Sequence, residues 1–226
     1  MYAKAWNIGQ NFTKNSITGH TSMVRKTKEQ ALATRCNILN AAEHLFQAQG
    51  VSGTSLHDIA SAAGVTRGAV YWHFKDKADV FNAMMGRVCL PMEQAGAQLG
   101  RDANTPTLPA LRAQLLDVLA RVVRDEQVRR VLDIATSKIE YTAELGAVRA
   151  RHLQIRNDYQ GHLERTLKLA QKRGEVKATP SARQMAVGIH ALMDGLIQNW
   201  MLEPDAFRLG TTGPTVLDIY LAGLAV

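Results

Sequence analysis

Residues 55–74 read SLHDIASAAGVTRGAVYWHF, and this stretch decides the fold. Ser55 is followed three residues later by Asp58, which is the spacing of a capping box and predicts the start of a short helix. Gly64 supplies the positive φ that a tight turn requires. A second short helix is predicted over residues 66–74. Two short helices joined by a glycine-containing turn form the helix-turn-helix pattern.

The second of these helices has an outward face that suits contact with DNA. Arg67 can donate two hydrogen bonds to a guanine edge, and Thr66 can offer a base its hydroxyl or its methyl group. A mobile basic arm at residues 25–28 is expected to reach the phosphate backbone or the minor groove. The candidate DNA contacts are Arg25, Lys26, Lys28, Ser55, His57, Thr66, Arg67, Gly68, Tyr71, Trp72, His73 and Lys77.

The alternative is that this pattern is plain helix packing, with Tyr71 and Trp72 as ordinary core aromatic residues. A second helix that directs only Ala69, Val70 and Phe74 inward would bury little apolar surface. Insertion of its N-terminal turn into a major groove therefore explains the residues better.

Outward from this stretch, the apolar residues recur with the period of helices. The first helix is expected to end at Gly50, and the last is expected to run from Pro214 to Leu224. We predict an all-α fold of about nine helices. Three regions are expected: a flexible tail at 1–22, a helix-turn-helix domain at 23–80, and a helical ligand-binding and dimerisation domain at 81–226. We hypothesise that translation begins at Met23.

The composition narrows the class of protein. The formal net charge is +7, which points mildly to a polyanionic partner. No apolar run approaches the ~18 residues that cross a bilayer, and a cytoplasmic protein is expected. The two cysteines predict neither a disulfide framework nor a zinc site, and we expect no cofactor. Motifs of nucleophilic, phosphate-binding and zinc-dependent enzymes are absent. A helical enzyme or small-molecule carrier is the main alternative class.

Residues 29–81 resemble the tetracycline-repressor (TetR) family, above all in GVSGTS at 50–55 and in IASAAGVTRGAVYWHFKDK at 59–77. Within that family they are most similar to the multidrug-efflux repressors of the AcrR type. The resemblance extends more loosely to the C-terminal half, at KIEY from Lys138 and DGLIQNW from Asp194. It implies a homodimer that reads a palindromic operator and is released by a small lipophilic compound.

A ligand pocket is expected between helices of the C-terminal region, because such pockets are mostly apolar with a few polar groups. Asp194 stands within an apolar stripe, so it is expected either to meet a partner across an interface or to face a cavity. The resemblance matches Leu132, Thr136 and Asp194 to pocket positions of efflux repressors. The candidate ligand contacts are Met84, Met85, Val88, Cys89, Leu132, Thr136, Ile139, Met193 and Asp194.

The last two helices together carry more apolar surface than one helical domain can cover. Two copies would form an isologous four-helix interface, whereas in a monomer both would be core helices. The dimer is favoured because a single half-site contacts few bases. The candidate interface residues are Gly188, Ala191, Gly195, Val216, Leu217, Tyr220 and Leu221.

Overall fold

The computed structural model describes residues 18–96, 107–139 and 146–226, with side chains described from residue 27 to residue 88 in the first range. Within these ranges the fold is all-α, as predicted, and β pairing is limited to one isolated bridge between Val176 and Ala225. The described helices are α1 (Thr18–Gln49), α2 (Leu56–Ala62), α3 (Arg67–His73), α4 (Lys77–Gly96), α5 (Thr107–Arg124), α6 (Glu126–Ser137), α7 (Gly146–Lys172), α8 (Ala182–Leu202) and α9 (Leu209–Leu224).

Local signals in the sequence position the first three helices. The Ser55 hydroxyl accepts from the backbone N–H of Asp58, and the Asp58 carboxylate accepts from the N–H of Ser55, so the predicted capping box begins α2. Gly50 and Gly64 have φ values of +80° and +66°, which turn the chain after α1 and after α2. Both turns confirm the predicted helix ends.

Helix α4 connects the first three helices to the rest of the chain. Phe81 and Met84 are fully or almost fully buried in a core that also contains Phe46 of α1 and Val131 of α6. The rings of Phe46 and Phe81 lie 6.4 Å apart between centroids. The core is thus continuous from the helix-turn-helix region into the C-terminal helices.

Two expectations about helix ends are wrong. Helix α1 begins at Thr18, so residues 18–22 are helical rather than part of a flexible tail, and residues 1–17 lie outside the described residues. Arg25, Lys26 and Lys28 accordingly lie on α1 and not on a mobile arm.

Helix α9 begins at Leu209, five residues before the predicted start at Pro214. Tertiary packing accounts for the earlier start, because Leu209 is buried and Gly213 faces Leu119 of α5 so closely that an added Cβ would lie 2.8 Å from its Cδ1. That burial offsets the hydrogen bond that the proline cannot donate within the helix.

The N-terminus of α5 is held by a residue from a distant part of the chain. The Glu175 carboxylate accepts from the backbone N–H groups of Thr107 at 3.0 Å and Leu108 at 2.7 Å. Arg173 makes a further contact at the same helix end by donating a hydrogen bond to the Thr107 hydroxyl at 2.9 Å. Burial alone would raise the pKa of Glu175, but the hydrogen bonds from Thr107 and Leu108 outweigh it and lower the pKa. A negative charge at this helix end also complements the helix dipole.

Among the described helices, none is both long enough and apolar enough to cross a membrane.

We expect Glu175→Gln to lower the free energy of unfolding at neutral pH by about 1 kcal/mol, as loss of a helix cap does. Because the folded-state pKa of Glu175 is lowered, its contribution is present above the ordinary value of 4.5 and is lost as the pH falls through the folded-state value. Urea unfolding at neutral and acidic pH measures both effects. Glu203→Gln, at an exposed position after α8, is the matched control; an equal loss in both variants contradicts the assignment.

Candidate functional site

The short helix α3 is anchored on one side and exposed on the other. Thr66 caps it, since its hydroxyl accepts from the N–H of Ala69 at 3.2 Å. Val70 and Phe74 are buried in the core. The opposite side is open, with Tyr71 48% exposed and Trp72 73% exposed. The aromatic pair is therefore not part of the core.

Arg67 and Tyr71 form a pair along this exposed side. The guanidinium Nη2 donates to the Tyr71 hydroxyl at 3.3 Å, and the guanidinium carbon lies 5.5 Å from the centre of the Tyr71 ring. The hydrogen bond to Tyr71 and its electrostatic attraction raise the pKa of Arg67. The pair thus presents a charged, oriented guanidinium at the N-terminal turn of α3, where base edges are read in helix-turn-helix complexes.

A concave surface of about 500 Å³ continues from this pair toward the starts of α2 and α4. Ser55, His57 and Lys77 line it together with Arg67 and Tyr71, so the structure brings five of the predicted DNA contacts to one place. The Lys77 ammonium donates to the carbonyl of Ser52 at 3.2 Å. Sequence reasoning did not select the basic residue Lys75, which also lines this surface.

Other predicted DNA contacts are placed differently. His73 is half-buried between the rings of Trp72 and Phe74, and burial followed by the nearby charge of Arg35 lowers its pKa. Its imidazole is therefore neutral at neutral pH and lies behind the exposed face. Gly68 is exposed on α3, and Lys28 is exposed on α1.

A second feature is a cavity of about 340 Å³ that is lined by α4, α5, α6, α7 and α8 and is partly open to solvent. One wall is apolar and is formed by side chains of α4 to α6. The other wall carries polar groups of α7 and α8 at helical spacing. The full lining comprises Met85, Val118, Leu132, Ala135, Thr136, His152, Ile155, Arg156, Tyr159, His190, Met193, Asp194, Ile197 and Gln198.

The polar wall is organised around His190. Its Nδ1 lies 3.0 Å from Oδ2 of Asp194, and its ring lies 5.7 Å from that of Tyr159 between centroids. Burial, with a smaller effect of Asp194, raises the pKa of Tyr159, so the phenol stays neutral. Burial lowers the pKa of His152 and outweighs the opposing effect of Asp194. The wall thus offers hydrogen-bonding groups beside two charged side chains, the Asp194 carboxylate and the Arg156 guanidinium.

The cavity brings together part of the predicted ligand set. Met85, Leu132, Thr136, Met193 and Asp194 line it, so Asp194 faces a cavity, one of its two expected settings. The remaining members are placed elsewhere. Met84 and Val88 are buried in the core instead, and Ile139 is half-buried and packs against the core. The side chain of Cys89 lies outside the described residues.

Of the polar wall, sequence reasoning predicted Asp194 and missed its partners. His152, Tyr159 and His190 were not selected, although His152 and Tyr159 are seven residues apart and so lie on one face of α7. This shared face of α7, which is directed at the apolar stripe of α8, is the sequence signal that could have identified both residues as cavity residues.

The expected dimer residues divide into two groups. Leu217 and Leu221 are buried within the single chain, and Tyr220 fills the space left by the missing side chain of Gly188, where an added Cβ would lie 2.0 Å from its hydroxyl. Tyr220 and Gly188 therefore hold α9 against α8 within one chain, and Leu217 and Leu221 belong to the core of that chain. Ala191 is exposed and Gly195 and Val216 are partly exposed, while Val187 and Ile219, which were not predicted, are more exposed than most large apolar residues.

The capped pair α2–α3 with its exposed basic edge defines a DNA-binding protein of the helix-turn-helix class, which carries a separate cavity between its C-terminal helices. Residues 38–84 match the bacterial regulatory proteins of the tetR family, and residues 106–226 match the C-terminal region of MAATS-type transcriptional repressors. The chain belongs to the tetR family and is a transcriptional regulator rather than an enzyme.

Individual relatives agree with this assignment. The chain is 38% identical to the transcriptional regulator AcrR of Shigella flexneri over 190 residues, which cover 83% of this chain and 87% of AcrR. NalD, the secondary repressor of the MexAB-OprM multidrug efflux pump of Pseudomonas aeruginosa, is similar with a TM-score of 0.79 and 36% identity, covering 87% of this chain and 98% of NalD. SmeT of Stenotrophomonas maltophilia in complex with triclosan is similar with a TM-score of 0.80 and 32% identity, covering 86% of this chain and 92% of SmeT.

We expect Trp72→Phe to change the free energy of unfolding by less than about 0.5 kcal/mol, because an exposed side chain removes little surface from water on folding. Phe74→Ala, two residues away on the buried side, is the comparison and is expected to cost about 3–5 kcal/mol. Urea unfolding of the two variants measures the difference. Similar losses would place Trp72 in the core and contradict the exposed edge.

Proposed function

We propose that this protein represses a multidrug-efflux operon as a homodimer bound to a palindromic operator in the cytoplasm, and that small lipophilic compounds release it. The observation that carries the proposal is the exposed Arg67–Tyr71–Trp72 edge on a chain that also has a cavity with one apolar and one polar wall. NalD and SmeT are repressors of multidrug efflux pumps, which supports the choice of operon.

On DNA, α3 enters the major groove with its N-terminal turn. Arg67 reads a guanine through its paired donors, Thr66 offers its methyl group or its hydroxyl to a base or phosphate, and Gly68 allows close approach of the backbone. Lys77 and Ser55, at the starts of two helices beside α3, are placed for flanking phosphates. The exposed Lys28 adds positive charge on α1, the helix that also contains Arg25 and Lys26. In this arrangement α3 determines which DNA sequence is preferred, and the residues around it that contact phosphates supply the affinity.

The dimer forms through the exposed side of α8 and α9. Val187, Ala191 and Ile219 present small or apolar groups there, and exposed apolar surface of this kind marks an interaction site. A C2 pair places two copies of α3 on successive major grooves. Gly195 and Val216 lie at the edge of the same surface.

The effector occupies the cavity. Its apolar part contacts Met85, Leu132 and Met193, and its polar group lies against the wall formed by Tyr159, His190 and Asp194. Met85 and Met193 adapt to different shapes, which suits a range of lipophilic compounds. An effector that weakens operator binding ~100-fold needs ~2.8 kcal/mol of differential affinity for the released state.

We expect Arg67→Ala to weaken binding to the native operator by about 1–3 kcal/mol and to reduce discrimination against altered operators, because a base-reading donor is lost. Lys77→Ala should weaken binding to all sequences alike and flatten the salt dependence. Fluorescence anisotropy with DNA from immediately upstream of the gene, at several salt concentrations, measures both.

Arg121→Ala removes an exposed arginine of α5 that pairs with Asp117, and it is the control expected to bind DNA normally. A change of base preference in Lys77→Ala would show that the two roles are assigned wrongly. A wild-type protein that binds lipophilic compounds but leaves DNA mobility unchanged at low salt would be a carrier and not a repressor.

We expect Leu132→Trp to weaken binding of triclosan at least tenfold, about 1.4 kcal/mol, because the larger side chain fills space in the cavity. Isothermal titration calorimetry measures the dissociation constant of triclosan. Val123→Trp, outside the cavity at the end of α5, is the control; equal weakening in both variants would place the binding site elsewhere.

A further inference from the structure

A buried carboxylate joins three helices at the boundary between the helix-turn-helix region and the cavity. Glu43 of α1 is 1% exposed. Its Oε1 accepts from Arg87 Nη1 of α4 at 3.0 Å and from Gln127 Nε2 of α6 at 3.0 Å. The same Gln127 amide lies 3.1 Å from Oε2. Since a buried carboxylate is stable only while its partners remain in place, these contacts fix three helices relative to one another.

The α4 side of this cluster is closely attached to α1. Besides Glu43, the Arg87 guanidinium donates to the Asn40 side chain at 2.7 Å and to the carbonyl of Cys36 at 3.0 Å. One guanidinium therefore spans two turns of α1. Helices α1 and α4 are held together here whether or not α6 remains in contact.

Both ends of helix α6 contact the N-terminal part of the chain: its start contacts α1, and its end contacts the turn between α1 and α2. At its start, Gln127 donates to Glu43. At its end, the carbonyl of Lys138 accepts from the N–H of Val51 at 3.0 Å, in the turn between α1 and α2. Between these two attachments, Leu132, Ala135 and Thr136 line the cavity. A movement of α6 at the cavity is therefore transferred to α1 and to the turn that precedes α2.

We propose that the Gln127–Glu43 hydrogen bonds are the positioning contact through which occupancy of the cavity, by way of α6, changes the placement of α3 on DNA. This inference rests on the proposed function. Gln127 touches neither the cavity nor the DNA-reading edge, so its role is to transmit and not to bind.

The test replaces the α6 partner and leaves the Arg87–Glu43 pair intact. Gln127→Met in the full-length protein is expected to bind triclosan with an unchanged Kd and the operator within about threefold of wild type. The ratio of operator affinities without and with triclosan should fall at least tenfold. Glu126→Gln, at the neighbouring exposed position, is the matched control and should keep the wild-type ratio. A merely structural role would lower the thermal midpoint without changing that ratio.

A second measurement does not require an effector. Coupling between sites is reciprocal, so operator binding should alter amide hydrogen exchange of residues 126–138 in the wild type and alter it less in Gln127→Met. If Gln127→Met does not fold, the exchange of partners in Glu43→Gln/Gln127→Glu keeps a donor and an acceptor between α1 and α6 and is expected to retain the wild-type response.

The outcomes separate the two proposals. Failure of triclosan and of other lipophilic compounds to release the wild-type protein from DNA would count against the proposed function. Release of Gln127→Met to the wild-type extent, with unchanged exchange of α6 on operator binding, would overturn the transmission role while leaving the proposed function intact.

Discussion

The anchoring of α3 by Val70 and Phe74 is the constraint on which the rest of the structure depends. A seven-residue helix does not persist alone in water, because too few hydrogen bonds form for the backbone that must be ordered. Burial of Phe74, over which the guanidinium of Arg35 lies at 5.0 Å, holds the end of α3 against α1. Because the buried side of α3 is fixed in this way, Arg67 and Tyr71 on its opposite side face solvent.

Net charge would not have located this edge. The excess of +7 is a property of the whole chain, and the concave surface beside α3 contains an aspartate as well as two lysines. What distinguishes the edge is geometry: a guanidinium held by a hydroxyl, beside the N-termini of α2 and α4. The capping box at Ser55 serves this arrangement, since its hydrogen bonds fix the start of α2 next to Arg67.

Local patterns predicted the fold where local interactions decide it. Ser55 with Asp58 and the glycines at 50 and 64 specify turns and caps through their own backbone preferences, and the structure contains them. The start of α9 depends instead on burial of Leu209 against α5, which no pattern near Pro214 contains.

Sequence patterns also could not predict which of two neighbouring apolar residues lines the cavity. Adjacent residues on a helix differ in direction by about 100°, so Met85 faces the cavity while Met84 faces the core. An apolar run cannot say which of the two does so. The partners of His190 come from α7, and their meeting depends on how two distant helices pack.

Glu43 could have been recognised from the sequence, and its position explains why one core serves two parts of the molecule. It follows Leu39 by four residues and precedes Phe46 by three, so it lies on the buried face of α1, where a carboxylate requires partners. Protein interiors are densely packed, and displacements therefore pass between helices in contact. Helix α6 lines the cavity through Leu132, Ala135 and Thr136 and contacts the buried Glu43 of α1 through Gln127. In the proposed mechanism the ligand need not reach α2 and α3, because the helix that it touches already contacts α1 at one end and the turn before α2 at the other.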